Sequence, residues 1–185
     1  MERKDKFFKK AKKEGYVARS AYKLIQLNKK YNIIKGGDKV LDLGCSPGSW
    51  VQVALQLKAS RVIGIDLEKV KVKNKVFNFM MDDINKIDIK KIGDVDVVLS
   101  DIAPCVSGIK NIDTEESIEL SNKAFNITKK VLKKNGNFLC KVFMGKGYDV
   151  FLKEVKSKFE FCKSSRPTAT RKNSKEIYII AKGFK

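Results

Sequence analysis

The chain has 185 residues, 43% hydrophobic and 33% charged, which is enough for one domain with a sizeable core. It contains no His, which argues against a zinc site or a His-based triad, and Cys45, Cys105, Cys140 and Cys162 form no Cys-x-x-Cys pair. Forty Lys and Arg against 21 acids give a net charge of +19, no apolar run reaches bilayer-spanning length, and Met1 to Lys13 is too charged for a secretory signal. Reduced thiols, no membrane partner, no metal and a cytoplasmic location are expected.

Residues 1–35 carry 12 bases and 3 acids. Lys and Arg alternate there with Phe7, Phe8 and Tyr16, predicting a short helix or ordered arm over 2–15. A clearer helix follows from Arg19 to about Lys30, with Leu24, Leu27 and Tyr31 on one face. Gly36-Gly37 ends this basic preface. The central stretch is Val40 to Trp50, a buried strand over 39–43 that breaks at Gly44 and leads into a helix over 49–57. Gly44 and Gly48 allow a sharp turn and close approach to a ligand. The turn carries neither a Walker phosphate loop nor the full dinucleotide glycine pattern. A ligand loop and a plain strand-to-helix turn both fit this segment taken alone.

Further strands are predicted at 61–66, 76–81, 95–100, 137–143, 159–163 and 176–181, with helices over roughly 115–134 and 147–158. Near-continuous Val/Ile/Leu strands alternating with helices predict an α/β fold with a mostly parallel sheet covered on both faces. Residues 164–175 form a basic polar loop. Residues 153–185 carry 10 bases and 3 acids, whereas residues 36–152 carry 18 and 15. Charge concentrated at both ends points to a polyanion, and to nucleic acid over a membrane surface, because it lies on no strongly amphipathic apolar helix.

Several strands end in polar residues. Asp66 closes the second strand, where a carboxylate can accept both hydroxyls of a ribose. Asp82-Asp83 follows the third and is placed to accept an adenine amino group. Ser100-Asp101-Ile102-Ala103-Pro104 follows the fourth, and Lys141 lies in the fifth. Each has a structural alternative: a helix cap for Asp66, a turn for Asp82, a snorkelling surface base for Lys141. Together, on one predicted sheet edge, they favour a site. Without a phosphate-gripping loop, a nucleoside without a polyphosphate is preferred, such as S-adenosylmethionine.

The chain resembles the FtsJ/RrmJ family of RNA ribose 2′-O-methyltransferases. The matching segments are Arg19-Ser-Ala-Tyr-Lys-Leu24, Leu41-Asp-Leu-Gly-Cys-Ser-Pro-Gly-Ser-Trp50, Gly64-Ile-Asp-Leu67, Ser100-Asp-Ile-Ala-Pro104, Val106-Ser-Gly108, Lys141-Val-Phe143, Ser165-Arg166 and Ser174-Lys-Glu-Ile-Tyr178. The resemblance runs from about residue 8 onward. It implies a Rossmann-like methyltransferase sheet of seven strands, mostly parallel with the last antiparallel, helices on both faces, and one domain over 1–185 whose basic residues 1–35 form a helical extension packed on it. It implies a catalytic tetrad of Lys23, Asp101, Lys141 and Glu176. Its cofactor contacts fall on Gly44, Gly48, Trp50, Asp66, Asp101 and an acid after strand three, with Asp83 preferred to Asp82. Three departures stand out: Cys45 and Ser46 where the family often has Ala, Cys105 where it usually has Asn, and an unusually lysine-rich 68–75.

Methyl transfer to a ribose hydroxyl needs a base within hydrogen-bond reach. Lysine is ordinarily protonated, with a pKa of about 10.4, and a neighbouring ammonium disfavours that form. Lys141 is therefore expected to act as base with Lys23 nearby. Asp101 would orient Lys141, and Glu176 would hold Lys23 or the ribose. The basic preface and the 164–175 loop would clamp RNA phosphates. The expected substrate is a uridine of large-subunit ribosomal RNA. The alternatives are the anticodon loop of transfer RNA, and, from another class, a non-catalytic RNA-binding assembly factor. A monomer is expected.

Overall fold

The computed structural model describes residues 6–104, 110–171 and 173–185; Cys105 and the Val106-Ser-Gly108 segment lie outside the described residues. The elements are α1 (Lys6–Lys13), α2 (Ala21–Tyr31), β1 (Lys39–Leu43), α3 (Ser49–Gln56), β2 (Arg61–Asp66), β3 (Phe77–Met81), a 3-10 turn (Ile89–Lys91), β4 (Val95–Ser100), α4 (Lys110–Val131), β5 (Leu132–Phe143), α5 (Tyr148–Lys158), β6 (Phe159–Ser165) and β7 (Glu176–Phe184). The strands form a seven-stranded sheet in the order β3-β2-β1-β4-β5-β7-β6. The five strands from β3 to β5 are parallel, and β7 runs antiparallel between β5 and β6. Parallel strands buried on both faces need apolar side chains on both, as Val40-Leu41 and Val97-Val98-Leu99 supply. The α/β sheet expected from the alternation is the one found.

Two cores cover the two faces. On one, α4 and α5 pack Phe125, Val131, Phe151 and Val155 against Leu41, Ile63, Val98 and Phe138. On the other, α2 and α3 pack Leu24, Leu27, Trp50 and Val53 against Val40, Val62, Leu99, Leu139 and Ile180. Leu24 and Leu27 are buried, as their spacing predicts, while Tyr31 is half-buried beside Phe161, with ring centroids 6.4 Å apart. Helix α2 ends at Asn32 in the left-handed region, and the Asn28 side chain accepts the N–H groups of Ile33 and Ile34 at 2.9 and 2.7 Å. Helix α1 sits on α2 through Ala11, Phe7 and Tyr22, with Ala169 of the basic loop in the same cluster.

Helix α4 starts at Lys110 and β7 runs to Phe184, beyond the expected bounds, and the junction of α4 with β5 differs as well. Helix α4 stops at Val131 and β5 already begins at Leu132, well before 137. The pairing jumps from Val95↔Leu132 to Val97↔Asn137, and Asn135 adopts a positive φ of 64°. The polar run Lys133-Lys134-Asn135-Gly136 bulges out of the ladder, which is why its residues read as a helix end followed by a turn.

Burial pushes the Cys140 thiol up to about 12 and raises that of Cys45 as well. Neither offers a reactive thiolate at neutral pH. Asp42, in the middle of β1, is wholly buried, and among the described residues neither carboxyl oxygen meets a hydrogen-bond partner. Burial first, then the charges of Asp101 and Asp66, push its carboxyl well above the usual carboxylate range. A carboxyl raised in the folded state contributes its full stability below the unfolded value of about 3.9 and loses it as pH rises toward the folded value. Asp42→Asn cannot ionise. Its stability advantage over the parent in urea titrations should therefore widen as pH rises above about 4. A pH-independent difference would contradict this account of Asp42.

Candidate active site

Strand register builds the site. Ser100 pairs with Cys140, so Asp101 emerges beside Lys141. Lys141 pairs with Tyr178, and Glu176 lies two residues before it on the same strand. Side chains two apart in a strand share a face. Three columns therefore run up the α2–α3 face and change character as they leave the core: Leu99 to Asp101, Leu139 to Lys141, and Ile180 through Tyr178 to Glu176. Helix α2 lies over these columns and contributes Lys23 from its first turn.

The four expected catalytic residues meet there as two ion pairs. Lys141 Nζ is 3.0 Å from Asp101 Oδ1 and also donates to the Asp101 carbonyl at 2.5 Å. Lys23 Nζ donates to Glu176 Oε2 at 2.7 Å. Tyr178 joins the pairs: its hydroxyl donates to Asp101 Oδ1 at 3.2 Å, and Lys23 Nζ stands 5.7 Å from its ring centroid. Burial, then the charges of Asp101 and Glu176, hold the Tyr178 hydroxyl well above its ordinary pKa, so it remains a donor. The sequence reading gave Tyr178 no role. The available signal was a phenol in the apolar run Ile177-Tyr-Ile-Ile180, at period two from Glu176.

A cleft of about 640 Å³ opens on one side of this row. Gly44, Asp66, Asp83 and Asp101 line it, as does the rival acid Asp82. Gly44 has φ 75°, and a Cβ there would come 2.6 Å from Ile102 Cγ1, so only glycine lets the two loops close. Asp66 ties the cleft's loops together: Oδ2 accepts the Ser46 N–H at 2.8 Å and Oδ1 the Glu68 N–H at 2.9 Å. Asp83 accepts both the backbone and the side-chain N–H of Asn85, at 2.9 and 2.7 Å. The backbone bond first, then the side-chain bond, hold its carboxyl below the usual range.

Gly48 and Trp50 do not line this cleft. Val70 and Val72 cover Gly48, at positions 2.8 and 2.6 Å from where its Cβ would stand. Trp50 is 2% exposed; its indole N–H donates to the Ser20 carbonyl at 3.0 Å, and its ring lies 6.0 Å from that of Tyr178. As a large apolar residue in the first turn of α3, it turns into the core behind the site. Its side chain therefore acts as packing, not as part of the cleft wall.

On the other side of the row lies a second cleft of about 480 Å³, lined by Arg19, Ser20, Lys23, Arg171, Asn173, Ser174 and Glu176. Helix α2 and the basic loop make it. Arg19 donates to the Ala169 carbonyl at 2.5 Å, and the Gln26 side chain accepts the Ala169 N–H at 3.1 Å. Arg166 braces the loop from within by donating to the carbonyls of Arg171 and Ser174. Burial, then the adjacent Arg171 charge, lower the Arg19 pKa below its ordinary value. The two clefts have opposite character. Asp66, Glu68, Asp82, Asp83, Asp101 and Glu116 line the first, whereas Arg19, Lys23 and Arg171 dominate the second. Carboxylates gathered in a chain of net +19 suit a ligand that carries positive charge.

Among the described residues no helix is long and apolar enough to cross a membrane. A family model described as FtsJ-like methyltransferase matches residues 16–184. The ribosomal RNA large subunit methyltransferase E of Archaeoglobus fulgidus is 45% identical over 189 residues, covering 100% of this chain and 98% of the relative. That of Methanothrix thermoacetophila is 44% identical, covering 98% of this chain and 73% of the relative. A solved structure from Plasmodium falciparum, described as a ribosomal RNA methyltransferase, superposes with a TM-score of 0.78 at 30% identity, over 91% of this chain and 98% of that one. With agreement in sequence and fold extending over almost its full length, the chain belongs to the FtsJ-like methyltransferase family.

Proposed function

We propose that the protein transfers a methyl group from S-adenosylmethionine to the 2′-hydroxyl of a ribose in large-subunit ribosomal RNA, at a uridine. The observation that carries the reading is the row Asp101–Lys141–Tyr178–Lys23–Glu176, which stands between an acidic cleft and a basic one. A cationic donor suits the first cleft and a polyanionic acceptor the second, so the reacting atoms would meet at the row. The names of the relatives favour the ribosomal substrate over the anticodon loop of transfer RNA.

Asp66, Asp82 and Asp83 would hold the nucleoside part of the donor, and Gly44 would allow close approach. S-adenosylmethionine supplies an electrophilic methyl on a sulfonium. Lys141 would take the ribose proton. It would do so as the free amine, its own proton having passed to solvent, while the donor's sulfur leaves as a neutral thioether and Asp101 orients Lys141. One carboxylate oxygen of Asp101 faces the Lys141 ammonium and the Tyr178 hydroxyl, while the same residue lines the acidic cleft. The Lys23–Glu176 pair would set the ribose against Lys141, with Tyr178 as spacer between the pairs.

Incubation with methyl-labelled cofactor and either large ribosomal subunits or bulk transfer RNA should label only the former, at a uridine 2′-oxygen; label confined to transfer RNA would overturn the ribosomal assignment. Lys141→Ala should lower kcat by about 10²–10⁴-fold, the usual worth of a positioned base, and leave cofactor affinity by calorimetry within a few-fold. Transfer at the parent rate would remove Lys141 from the chemistry. Tyr178→Phe, which deletes one donor to Asp101, should lower kcat by about tenfold with little change in cofactor binding.

A further inference from the structure

We propose that residues 68–75 form a phosphate-binding rail for the RNA strand, on the acidic-cleft side of the active site and continuous with the basic cleft. The segment reads Glu68-Lys69-Val70-Lys71-Val72-Lys73-Asn74-Lys75. Val70 and Val72 are half-buried and pack on the α2–α3 core. Lys69, Lys71, Lys73 and Lys75 are all exposed. Lys69, Lys71 and Lys73 alternate with Val70 and Val72 as in an extended chain, whose rise sets alternate Cα atoms about 6.6 Å apart, of the order of the separation of neighbouring phosphates on one strand, and Lys75 follows in the turn from Asn74 to Phe77. Among the described residues, none of these four ammonium groups is in an ion pair.

A merely solvated lysine run needs no fixed side toward the protein. This one has such a side. The two valines fill the space above Gly48 that any Cβ would occupy. The Lys71 N–H donates to the Pro47 carbonyl, and the Ser46 hydroxyl donates to the Lys69 carbonyl, both at 3.4 Å. From there the contacts run without a break. Ser49, just past Gly48, shares a 2.6 Å hydrogen bond with Ser20, and Arg19 holds the basic loop at Ala169. The lysine comb and the Arg19–Arg171 cleft are thus two ends of one row along the strand tips. The carboxylates of Asp66, Asp82 and Asp83 line the adjoining acidic cleft and repel phosphate. Lysines beside those acids offset the repulsion and let a strand cross the acidic mouth. This inference rests on RNA being the partner, but it concerns binding and not transfer.

The test compares two quadruple variants of equal charge. One is Lys69→Gln, Lys71→Gln, Lys73→Gln, Lys75→Gln. The control is Lys90→Gln, Lys91→Gln, Lys130→Gln, Lys153→Gln, all exposed on the α4–α5 side. Binding of a fluorescein-labelled single-stranded RNA is read by anisotropy over a salt series. The rail variant should lose at least tenfold in affinity at moderate salt, and its salt slope should fall by about 2–3, at about 0.7 per lost phosphate contact. The control should lose less than half of that. Cofactor affinity of both should stay within about twofold of the parent. Equal losses in the two variants, or no loss in the rail variant, would overturn the rail. A larger loss of cofactor than of RNA affinity would also overturn it and assign the segment to the acidic cleft. Because no step of the assay requires methyl transfer, failure here leaves the proposed reaction standing, and the labelling experiment tests that reaction separately.

Discussion

The contact between Lys141 and Asp101, at 3.0 Å, depends on the register of two paired strands whose facing residues lie forty positions apart in the sequence. Lys141 is 6% exposed. A buried pair of this kind returns little net stability, because removing both charges from water costs about as much as their attraction regains. Losing one partner alone is severe, since the other is left charged in a poor solvent. The geometry therefore has to be held by something else. Apolar columns beneath the pair do this: Leu99, Leu139 and Ile180 are fully buried and fix the three strands that carry the charged tips. The core sets the heights of the strand ends, and those heights set the chemistry.

Opposed electrostatics within one small molecule follow from the same arrangement. Carboxylates come from the tips of β2, β3 and β4, whereas bases come from α2 and the loop before β7. The sheet order separates these sources, with β5 and β7 at the junction. A net charge of +19 therefore does not make every surface positive. It leaves a negative recess beside a positive one, and their boundary is where a cationic donor and an anionic acceptor can approach each other.

Much of this was legible in the residues. Apolar strand runs alternating with helices announced the layered sheet, and polar endings at Asp66, Asp82, Asp83, Asp101 and Lys141 marked the edge where the acidic cleft and the ion-paired row lie. What escaped was long-range or compensated. Tyr178 looked like one more apolar strand position until pairing with Lys141 put its hydroxyl on Asp101. The Trp50 side chain lies in the core beside Tyr178 because of its size and its place on α3. The valines that cover Gly48 come from a segment whose lysines dominate its composition. The early start of β5 was hidden by the bulge at Lys133–Gly136. For Tyr178 and Gly48 the deciding partner lies far away along the chain.

Strand β7 is the last of the seven in chain order, yet it lies between β5 and β6. During synthesis on the ribosome, β1 to β5 can pair as they emerge, but β6 has no neighbour in the sheet until β7 arrives. The same late strand brings Tyr178 and Glu176. A nascent chain thus has the acids of the first cleft and the Arg19–Lys23 wall of the second before Arg171 to Glu176 arrive, and the second cleft closes only in the final, high-contact-order step of folding. Closure of that cleft and completion of the sheet are then one event.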